Sequence, residues 1–291
     1  MTLTLGVTKQ HEMQMKNLKR CIAKTPIIGR TLLILYRAKV AFEYFRRPLL
    51  NVFRWLFKSK ETTNFTYDLE ETNKRYLAAL ISDVTNEDYD VVMAYIREIE
   101  GDNDLRIHIA DSTIGSGLAF IADKEVHFGR RVGWYALTRI LKPKVVIETG
   151  VDKGLGSCLL TAALKRNTQE GHEGRYYGTD INPTAGYLLS GVYANYGSIL
   201  YGDSIESLKK FDGVIDLFIN DSDHSADYET DEYKTVANRL SKHAVILGDN
   251  SHYTDKLLEF SLETDRHFVF FQEKPKTHWY AGSGIGISFN R

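Results

Sequence analysis

The second half of the chain alternates short apolar runs with amphipathic helical segments, and this alternation constrains the fold more than any other feature. The runs with the length and composition of strands are VVIE (145–148), RYYGTD (175–180), SILY (198–201), VIDLFIN (214–220), AVILG (244–248), HFVFFQ (267–272) and GIGISF (284–289). Strand–helix alternation predicts a parallel, doubly wound α/β sheet. Because no long helix fits between the last two runs, we expect them to form an antiparallel pair at the edge of a seven-stranded, mostly parallel sheet.

The N-terminal part of the chain is basic and helical in pattern. Residues 1–60 hold 13 Lys and Arg against two acids, a charge of +11, so the remainder carries −12 within a total of −1. Apolar residues recur at steps of three and four between 31 and 57, and Pro48 predicts a break into two helices. We expect a basic helical extension (1–60), a helical cap or lid (61–128) and an α/β domain (129–291).

The basic extension has two interpretations. Its helices either lie on an anionic membrane surface through residues 31–58 or form a cap on the catalytic domain or across a dimer, and aromatic stripes favour the cap. No stretch reaches the roughly 18 uncharged apolar residues of a membrane span, and no signal-peptide pattern is present. Cys21 and Cys158 are too far apart in sequence to suggest a disulfide framework or a zinc site. We therefore expect a cytoplasmic protein, with peripheral membrane contact as the alternative.

Helical periodicity also marks the region before the first strand. It predicts helices at about 68–82, 86–100 and 130–142, whereas residues 103–128 have a mixed pattern with glycines in a loop.

A glycine-rich turn follows the first predicted strand. Glu148 ends that strand, and Gly150 and Gly154 lead into a helix that we expect to begin near Ser157. Glycine allows positive φ and close approach of a ligand to the backbone, and ligands of open α/β sheets bind at the carboxyl ends of the strands. The G-x-x-x-G-x-G spacing differs from the G-x-G-x-x-G of dinucleotide sites.

Two acids follow the next strands. Asp180 ends the second strand and can accept hydrogen bonds from both hydroxyls of a ribose, and Asp203 follows the third strand, where an adenine would lie. Both could instead cap helices, since Asp is a favoured N-cap residue.

With these acids, residues 130–291 resemble the class I S-adenosylmethionine-dependent methyltransferases. The resemblance implies a Rossmann-like fold, S-adenosylmethionine as cofactor and methyl transfer as the reaction. It also implies that the loop after the first strand wraps the methionine part of the cofactor, that the second-strand acid holds the ribose and that the third-strand acid lies near the adenine. The matching positions are Glu148, Gly150, Gly154, Ser157, Asp180 and Asp203.

A second group of polar residues follows the fourth and fifth strands. Asp221 opens one segment, and Asp249 and Asn250 open the other. Neighbouring strands would bring these oxygens together, and such ligands suit Mg²⁺. Helix capping and turn formation are the alternative roles. The pattern resembles the metal-dependent O-methyltransferases of the catechol and caffeoyl-CoA type, which implies that all three residues bind Mg²⁺ or another divalent cation.

His224 stands where the catechol type has a lysine base. The D-x-x-H arrangement is similar to that of metal-dependent sugar O-methyltransferases of macrolide biosynthesis, which implies His224 as the base, although those enzymes often have a second Asp where this chain has Asn250. A metal-bound hydroxyl has a lowered pKa, and a neutral imidazole can accept its proton.

We expect a metal-dependent O-methyltransferase that acts on a hydroxyl of a small polyol, sugar or glycoconjugate. The alternatives are a metal-independent or N-directed methyltransferase of the same fold, and a membrane-recruited binding module with a vestigial cofactor site. The acidic catalytic half argues against nucleic acid as a partner. The sequence leaves the oligomeric state open, with a homo-oligomer among the options.

Overall fold

A computed structural model describes residues 16, 28–62, 65–123 and 125–291. The chain divides into two compact units, Met1–Phe57 and Lys58–Arg291. Cys21 lies outside the described residues, and Cys158 is a buried free thiol. The division into an extension, a cap and a catalytic domain stays a prediction.

The first unit contains one long helix, α1 (Ile28–Lys58), which continues through Pro48. The predicted break at Pro48 is therefore wrong. Proline removes the backbone hydrogen bond to the carbonyl of Tyr44, but Tyr44 is 77% exposed and water can satisfy that carbonyl. Within the part of the chain that the structure describes, none of the helices combines the length and apolarity that crossing a membrane requires.

The second unit begins with helices. They are α2 (Glu71–Thr85), α3 (Tyr89–Glu100), α4 (Asn103–Gly115) and α5 (Arg131–Leu141). Helix α4 was not predicted, because its apolar side chains form no stripe: Leu105 and Ile109 are buried while Ile107 and Ile114 are exposed. Its start has a local cause, since the carboxyl of Asp102 accepts a hydrogen bond from the backbone N–H of Leu105 at 2.9 Å.

The sheet has the predicted architecture. Its strands are β1 (Val145–Thr149), β2 (Arg175–Asp180), β3 (Gly197–Tyr201), β4 (Ile215–Asn220), β5 (Leu240–Gly248), β6 (His267–Gln272) and β7 (Gly284–Phe289). The spatial order is β3-β2-β1-β4-β5-β7-β6. The first five strands are parallel, and β7 runs antiparallel to both β5 and β6. The Rossmann-like, seven-stranded, mostly parallel sheet with an antiparallel edge pair is confirmed.

Four further helices connect the strands and cover the sheet. They are α6 (Leu155–Gln169), α7 (Ser204–Lys210), α8 (Ala226–Val236) and α9 (Lys256–Glu263). Hydrophobic core clusters lie on the two faces of the sheet, one including Trp134 of α5 and Leu160 of α6, the other including Tyr233 of α8 and Phe260 of α9. The strand order reverses between β1 and β4, and in open α/β folds such a reversal opens a ligand crevice at the carboxyl ends of the strands.

Candidate active site

A cavity of about 900 Å³ lies at the carboxyl ends of the strands. Among the predicted site residues, those that line it are Gly150, Asp180, Asp203, Asp221, His224, Asp249 and Asn250. The fold therefore brings together residues at the carboxyl ends of five different strands, as expected from the parallel register.

The glycine turn lies directly against the end of β4. Gly150 has a φ of 78°, and a side chain there would overlap the backbone carbonyl of Asp221. The carboxyl of Asp180 closes the turn from the other side, where Oδ2 accepts hydrogen bonds from the backbone N–H groups of Val151 at 3.1 Å and Asp152 at 2.9 Å. Gly150 thus connects the candidate cofactor loop with the acid cluster described below.

The two acids predicted for the nucleoside differ in their surroundings. Asp180 is partly buried, and its Oδ1 accepts from the backbone N–H of Asn182 at 2.8 Å. Asp203 is exposed and is the N-cap of α7, accepting from Glu206 N at 2.9 Å, while its other oxygen accepts from the Tyr228 hydroxyl at 3.0 Å. Asp203 therefore caps a helix and also faces the cavity.

Glu148, Gly154 and Ser157 lie behind the cavity wall and do not line it. Glu148 is 1% exposed, and its Oε2 accepts hydrogen bonds from the hydroxyls of Tyr176 at 2.5 Å and Ser157 at 3.4 Å. Burial raises the pKa of Glu148 to about 7. These contacts support the glycine turn from beneath.

Glu232 on α8 is a buried acid that the sequence analysis did not single out. Its carboxyl accepts from the hydroxyls of Ser222 at 2.9 Å and Thr149 at 3.2 Å, and also from Ser204 and Asn220. Burial raises the pKa of Glu232 to about 7. The carboxyl connects the ends of β1 and β4 and so positions the segment that carries Asp221.

Asp221, His224 and Asp249 converge at one point of the cavity. Each offers a ligand atom, and these atoms lie within 4.8 Å of one another. Burial and the neighbouring Asp249 carboxyl raise the pKa of Asp221 well above its ordinary value. Burial acts against ionisation of Asp249 too, but the Arg130 guanidinium is close enough to hold its pKa below the ordinary value.

Both nitrogens of the His224 ring lie near polar side chains. Its Nε2 lies 2.9 Å from Nδ2 of Asn250 and 3.9 Å from a carboxyl oxygen of Asp221. Its Nδ1 lies 3.5 Å from Oε1 of Glu229, an acid that the sequence analysis did not assign. If the Asn250 amide donates, Nε2 carries the lone pair, which is the arrangement that a base near Asp221 requires.

Arginines from the start of α5 reach into the acid cluster. Nη2 of Arg130 lies 2.5 Å from Oδ2 of Asp249, and its Nε contacts the other oxygen of that carboxyl. Arg130 also lies 4.0 Å from Asp221 and 3.5 Å from Glu273. Nη2 of Arg131 lies 3.7 Å from Asp221. The sequence analysis missed these ion pairs because they join residues at least 90 positions apart and no local pattern marks them.

Aromatic side chains form another wall of the cavity, which we call the aromatic wall: Phe65, Tyr67 and Tyr280. The Phe65 ring is 5.7 Å from Tyr280 and 5.0 Å from Trp279, and Tyr67 is 6.0 Å from Tyr280. Glu61 and Asp123 line the same part of the cavity.

Asp221, Asp249 and His224 offer ligand atoms that suit a divalent cation, namely two carboxylate oxygens and an imidazole nitrogen. These atoms are close enough to bind the same ion. Asn250 adjoins His224 and could add an amide oxygen. The residues therefore fit a divalent cation, and one of the carboxylates, Asp249, also pairs with Arg130.

Residues 147–251 match a family model described as a methyltransferase domain. Over these residues the chain is similar to a methyltransferase domain. The match begins in β1 and ends after Asn250, so it includes the glycine turn, both nucleoside acids and the acid cluster. The expectation of a class I S-adenosylmethionine-dependent methyltransferase is confirmed.

Solved structures of methyltransferases resemble the domain. A candidate O-methyltransferase from Klebsiella pneumoniae is 12% identical, with a TM-score of 0.50 over 69% of this chain and 97% of that chain. An O-methyltransferase from Bacillus cereus in complex with SAH is 13% identical, with a TM-score of 0.47 over 63% and 90%. TomG of Streptomyces achromogenes, in complex with SAM, is 14% identical, with a TM-score of 0.46 over 65% and 90%. No curated protein matches the sequence.

Proposed function

We propose that this methyltransferase transfers a methyl group from S-adenosylmethionine to a hydroxyl oxygen, with a divalent cation such as Mg²⁺ at Asp221, Asp249 and Asn250 and with His224 as the base. The observation that carries the proposal is the contact between the two halves of the site: Gly150 packs so closely on Asp221 that no side chain fits between them. A sulfonium held by the glycine turn would therefore lie beside the acid cluster.

The cofactor half of the site uses backbone and carboxyl groups. Asp180 keeps its carboxyl at the cavity surface while ordering the glycine turn, so it can accept hydrogen bonds from ribose hydroxyls. Asp203 adjoins the adenine position, and Gly150 lets the methionine part approach the backbone. Glu148, Gly154 and Ser157 act from behind this surface by supporting the turn.

The reaction is an in-line displacement. The acceptor oxygen forms a bond to the methyl carbon, the carbon–sulfur bond of the sulfonium breaks, and the hydroxyl proton passes to Nε2 of His224. A bound cation would lower the pKa of the acceptor hydroxyl. Glu229 orients the imidazole, and the surrounding side chains supply the alignment that gives a large part of the rate.

The acceptor half of the cavity favours a sugar, a small polyol or a glycoconjugate. Aromatic faces carry partial negative charge and pack well on the C–H faces of sugar rings, and the aromatic wall offers such faces. Glu61 and Asp123 add carboxyl groups that accept hydrogen bonds from hydroxyls. This combination of apolar faces and a few convergent polar groups is typical of ligand sites.

A screen with methyl-labelled S-adenosylmethionine tests the acceptor class. Monosaccharides, glycosides, polyols and catechols are incubated with the full chain, and labelled products are identified by NMR. We expect methyl ethers of sugars or polyols and a large loss of transfer in Tyr280→Ala with unchanged cofactor binding. Products methylated on nitrogen, or on catechols alone, would contradict the proposal, and failure to bind the cofactor would favour a binding module with a vestigial site.

A second proposed function concerns α1, which we assign to peripheral contact with anionic membranes. One arc of the helix holds Ile34, Leu35, Ala38, Phe42, Phe45, Leu49, Val52, Phe53 and Leu56. The helix also contains seven Arg and Lys residues and one Glu. When the residues are placed around the axis at 3.6 per turn, none of these charged residues lies on that arc. Phe42 and Phe45 are 60% and 55% exposed. Helices of this kind lie in the lipid interface, and a cytoplasmic location of the protein, itself a prediction, would provide an anionic leaflet.

Vesicle sedimentation tests this second proposal. Leu33 and Leu35 are both exposed, at 47% and 60%, but they point in directions about 160° apart on the helix. We expect Leu35→Glu to reduce sedimentation with phosphatidylserine vesicles and Leu33→Glu to leave it nearly unchanged. Equal behaviour of the two variants, or no sedimentation of the unaltered chain, would contradict the membrane assignment.

A further inference from the structure

We infer that Arg130 is an internal counter-ion that competes with the divalent cation for the carboxyl of Asp249. The inference rests on the proposed cation site and adds to it a residue that sets the affinity of that site. Arg130 acts through Asp249 and is therefore a positioning residue.

The contacts of Arg130 are those of a cation held in an anionic pocket. Its guanidinium meets both oxygens of Asp249, at 2.5 Å through Nη2 and in a shorter contact through Nε. The Asp249 side chain is fully buried, so water does not compensate its charge. A bidentate guanidinium–carboxylate pair uses the oxygen lone pairs that a metal ion would need.

Repulsion between like charges gives the reason for competition. Arg130 pairs with Asp249 and also lies near Asp221 and Glu273. A dication bound to the same carboxyl would face the guanidinium at short range in a largely buried space, where water screens the repulsion between like charges weakly. A cation at Asp249 is therefore more stable when the guanidinium withdraws.

Glu273 provides the place to which the guanidinium can withdraw. Its Oε1 already lies 3.5 Å from Nη1 of Arg130, and its Oε2 is held by the Tyr67 hydroxyl at 3.0 Å. Glu273 is 1% exposed, so a closer pair with Arg130 would remain shielded from solvent. The guanidinium thus has two acceptor groups, of which only Asp249 belongs to the cation site.

A substitution with a matched control separates competition from general destabilisation. Arg130→Gln removes the internal counter-ion. Arg139→Gln removes another buried arginine of α5, 3% exposed and paired with Glu98 at 3.1 Å and Glu170 at 2.6 Å, outside the cation site. Binding of Mn²⁺ is measured by EPR, and thermal unfolding of each full-length protein is recorded with and without Mn²⁺.

We expect Arg130→Gln to bind Mn²⁺ about tenfold more tightly than the unaltered protein. A factor of this size is common when two groups, here the guanidinium and the cation, compete for one carboxyl. Both variants should unfold at a lower temperature without metal, because Arg130→Gln leaves the buried Asp249 carboxyl without its partner and Arg139→Gln removes a buried side chain that pairs with Glu98 and Glu170. Mn²⁺ should raise the unfolding temperature of Arg130→Gln by more than that of Arg139→Gln, because a ligand stabilises the folded state to an extent set by its affinity, and Arg139→Gln keeps the affinity of the unaltered site.

Equal or weaker Mn²⁺ binding by Arg130→Gln, while the unaltered protein binds Mn²⁺, would overturn the competition and leave the cation site intact. Absence of Mn²⁺ binding by both proteins would overturn the cation site itself. The unaltered protein gives an independent readout if Arg130→Gln does not fold: the Nε–H resonance of Arg130, assigned through Arg130→Lys, should shift during a Mg²⁺ titration. A resonance that does not move while Mg²⁺ binds would also overturn the inference.

Discussion

Oε1 of Glu229 lies 3.5 Å from Nδ1 of His224. Glu229 is only 2% exposed and also accepts a hydrogen bond from the Thr254 hydroxyl, so its carboxyl has a defined orientation. A carboxylate beside one ring nitrogen favours a proton on that nitrogen and leaves the lone pair on the other. The other nitrogen of His224 faces Asn250 and Asp221, where the acceptor hydroxyl is expected.

Glu229→Gln tests this positioning role. We expect kcat to fall by about 10- to 100-fold, the usual cost of losing a group that orients a functional histidine, while cofactor affinity stays the same. Methyl transfer and cofactor binding are measured on the same preparations. Glu206→Gln, which alters an exposed acid of α7, is the control and should behave like the unaltered chain. An unchanged kcat in Glu229→Gln would remove Glu229 from the account.

Asp180→Ala tests the ribose contact. Asp216 is a matched control, because its carboxyl also accepts two backbone N–H bonds, from Lys144 at 2.9 Å and Val145 at 3.2 Å, but at the opposite end of the sheet. We expect Asp180→Ala to weaken cofactor binding in calorimetry by about tenfold or more, since charge-assisted hydrogen bonds contribute about 1.5–3 kcal/mol. Asp216→Ala should lower stability alone, and equal cofactor affinity in both variants would contradict the assignment.

Gly150→Ala tests the contact between the two halves of the site. Gly150 and Gly171 both have positive φ, at 78° and 88°, but only at Gly150 would a side chain meet another part of the chain, the carbonyl of Asp221. Both substitutions should cost about 1 kcal/mol of backbone strain. We expect only Gly150→Ala also to lose cofactor affinity and transfer. If Gly171→Ala has the same effect on transfer, close packing at Asp221 is not the cause.

Much of the sheet could be predicted because apolar runs and turn residues are local signals. The ranges expected for 175–180, 267–272 and 284–289 are the observed strands β2, β6 and β7. Strand β5 begins at Leu240, four residues earlier than predicted, because Lys242 and His243 are exposed parts of the strand and break the apolar run.

The candidate site was predictable only where it depends on strand ends. Asp180, Asp221 and Asp249 follow parallel strands, so register alone brings them to one edge. Arg130 and Glu273 reach the same place from a helix start and from the segment after β6, through long side chains whose direction no local pattern encodes. Glu148 and Ser157 illustrate the opposite case, because their sequence positions match a cofactor site while their side chains pack beneath it.

The pH dependence of stability tests the burial of Glu148. Burial raises its pKa from 4.5 to about 7, so between these pH values the unfolded chain releases a proton that the folded chain retains. Because of this carboxyl, the free energy of unfolding falls as the pH rises from 4.5 to about 7. The fall is about 1.4 kcal/mol for each unit of pH within this window.

Glu148→Gln removes this dependence while keeping an oxygen that can accept from Tyr176 and Ser157. In urea unfolding, we expect the variant to gain stability relative to the unaltered chain between pH 5 and pH 7.5. The two proteins are compared in the same buffers at both pH values. A difference in free energy that does not change with pH would show that this carboxyl ionises alike in the folded and unfolded chain.

Chelation followed by restoration of the metal tests whether methyl transfer depends on a divalent cation at Asp221. Transfer of labelled methyl from S-adenosylmethionine to a sugar or polyol acceptor is followed before and after exhaustive treatment with EDTA, and again after addition of Mg²⁺, with Asp221→Ala in parallel. We expect chelation to abolish transfer, Mg²⁺ to restore it, and Asp221→Ala to stay inactive in all three conditions. Transfer that survives chelation at its full rate, or full activity of Asp221→Ala, would contradict this dependence.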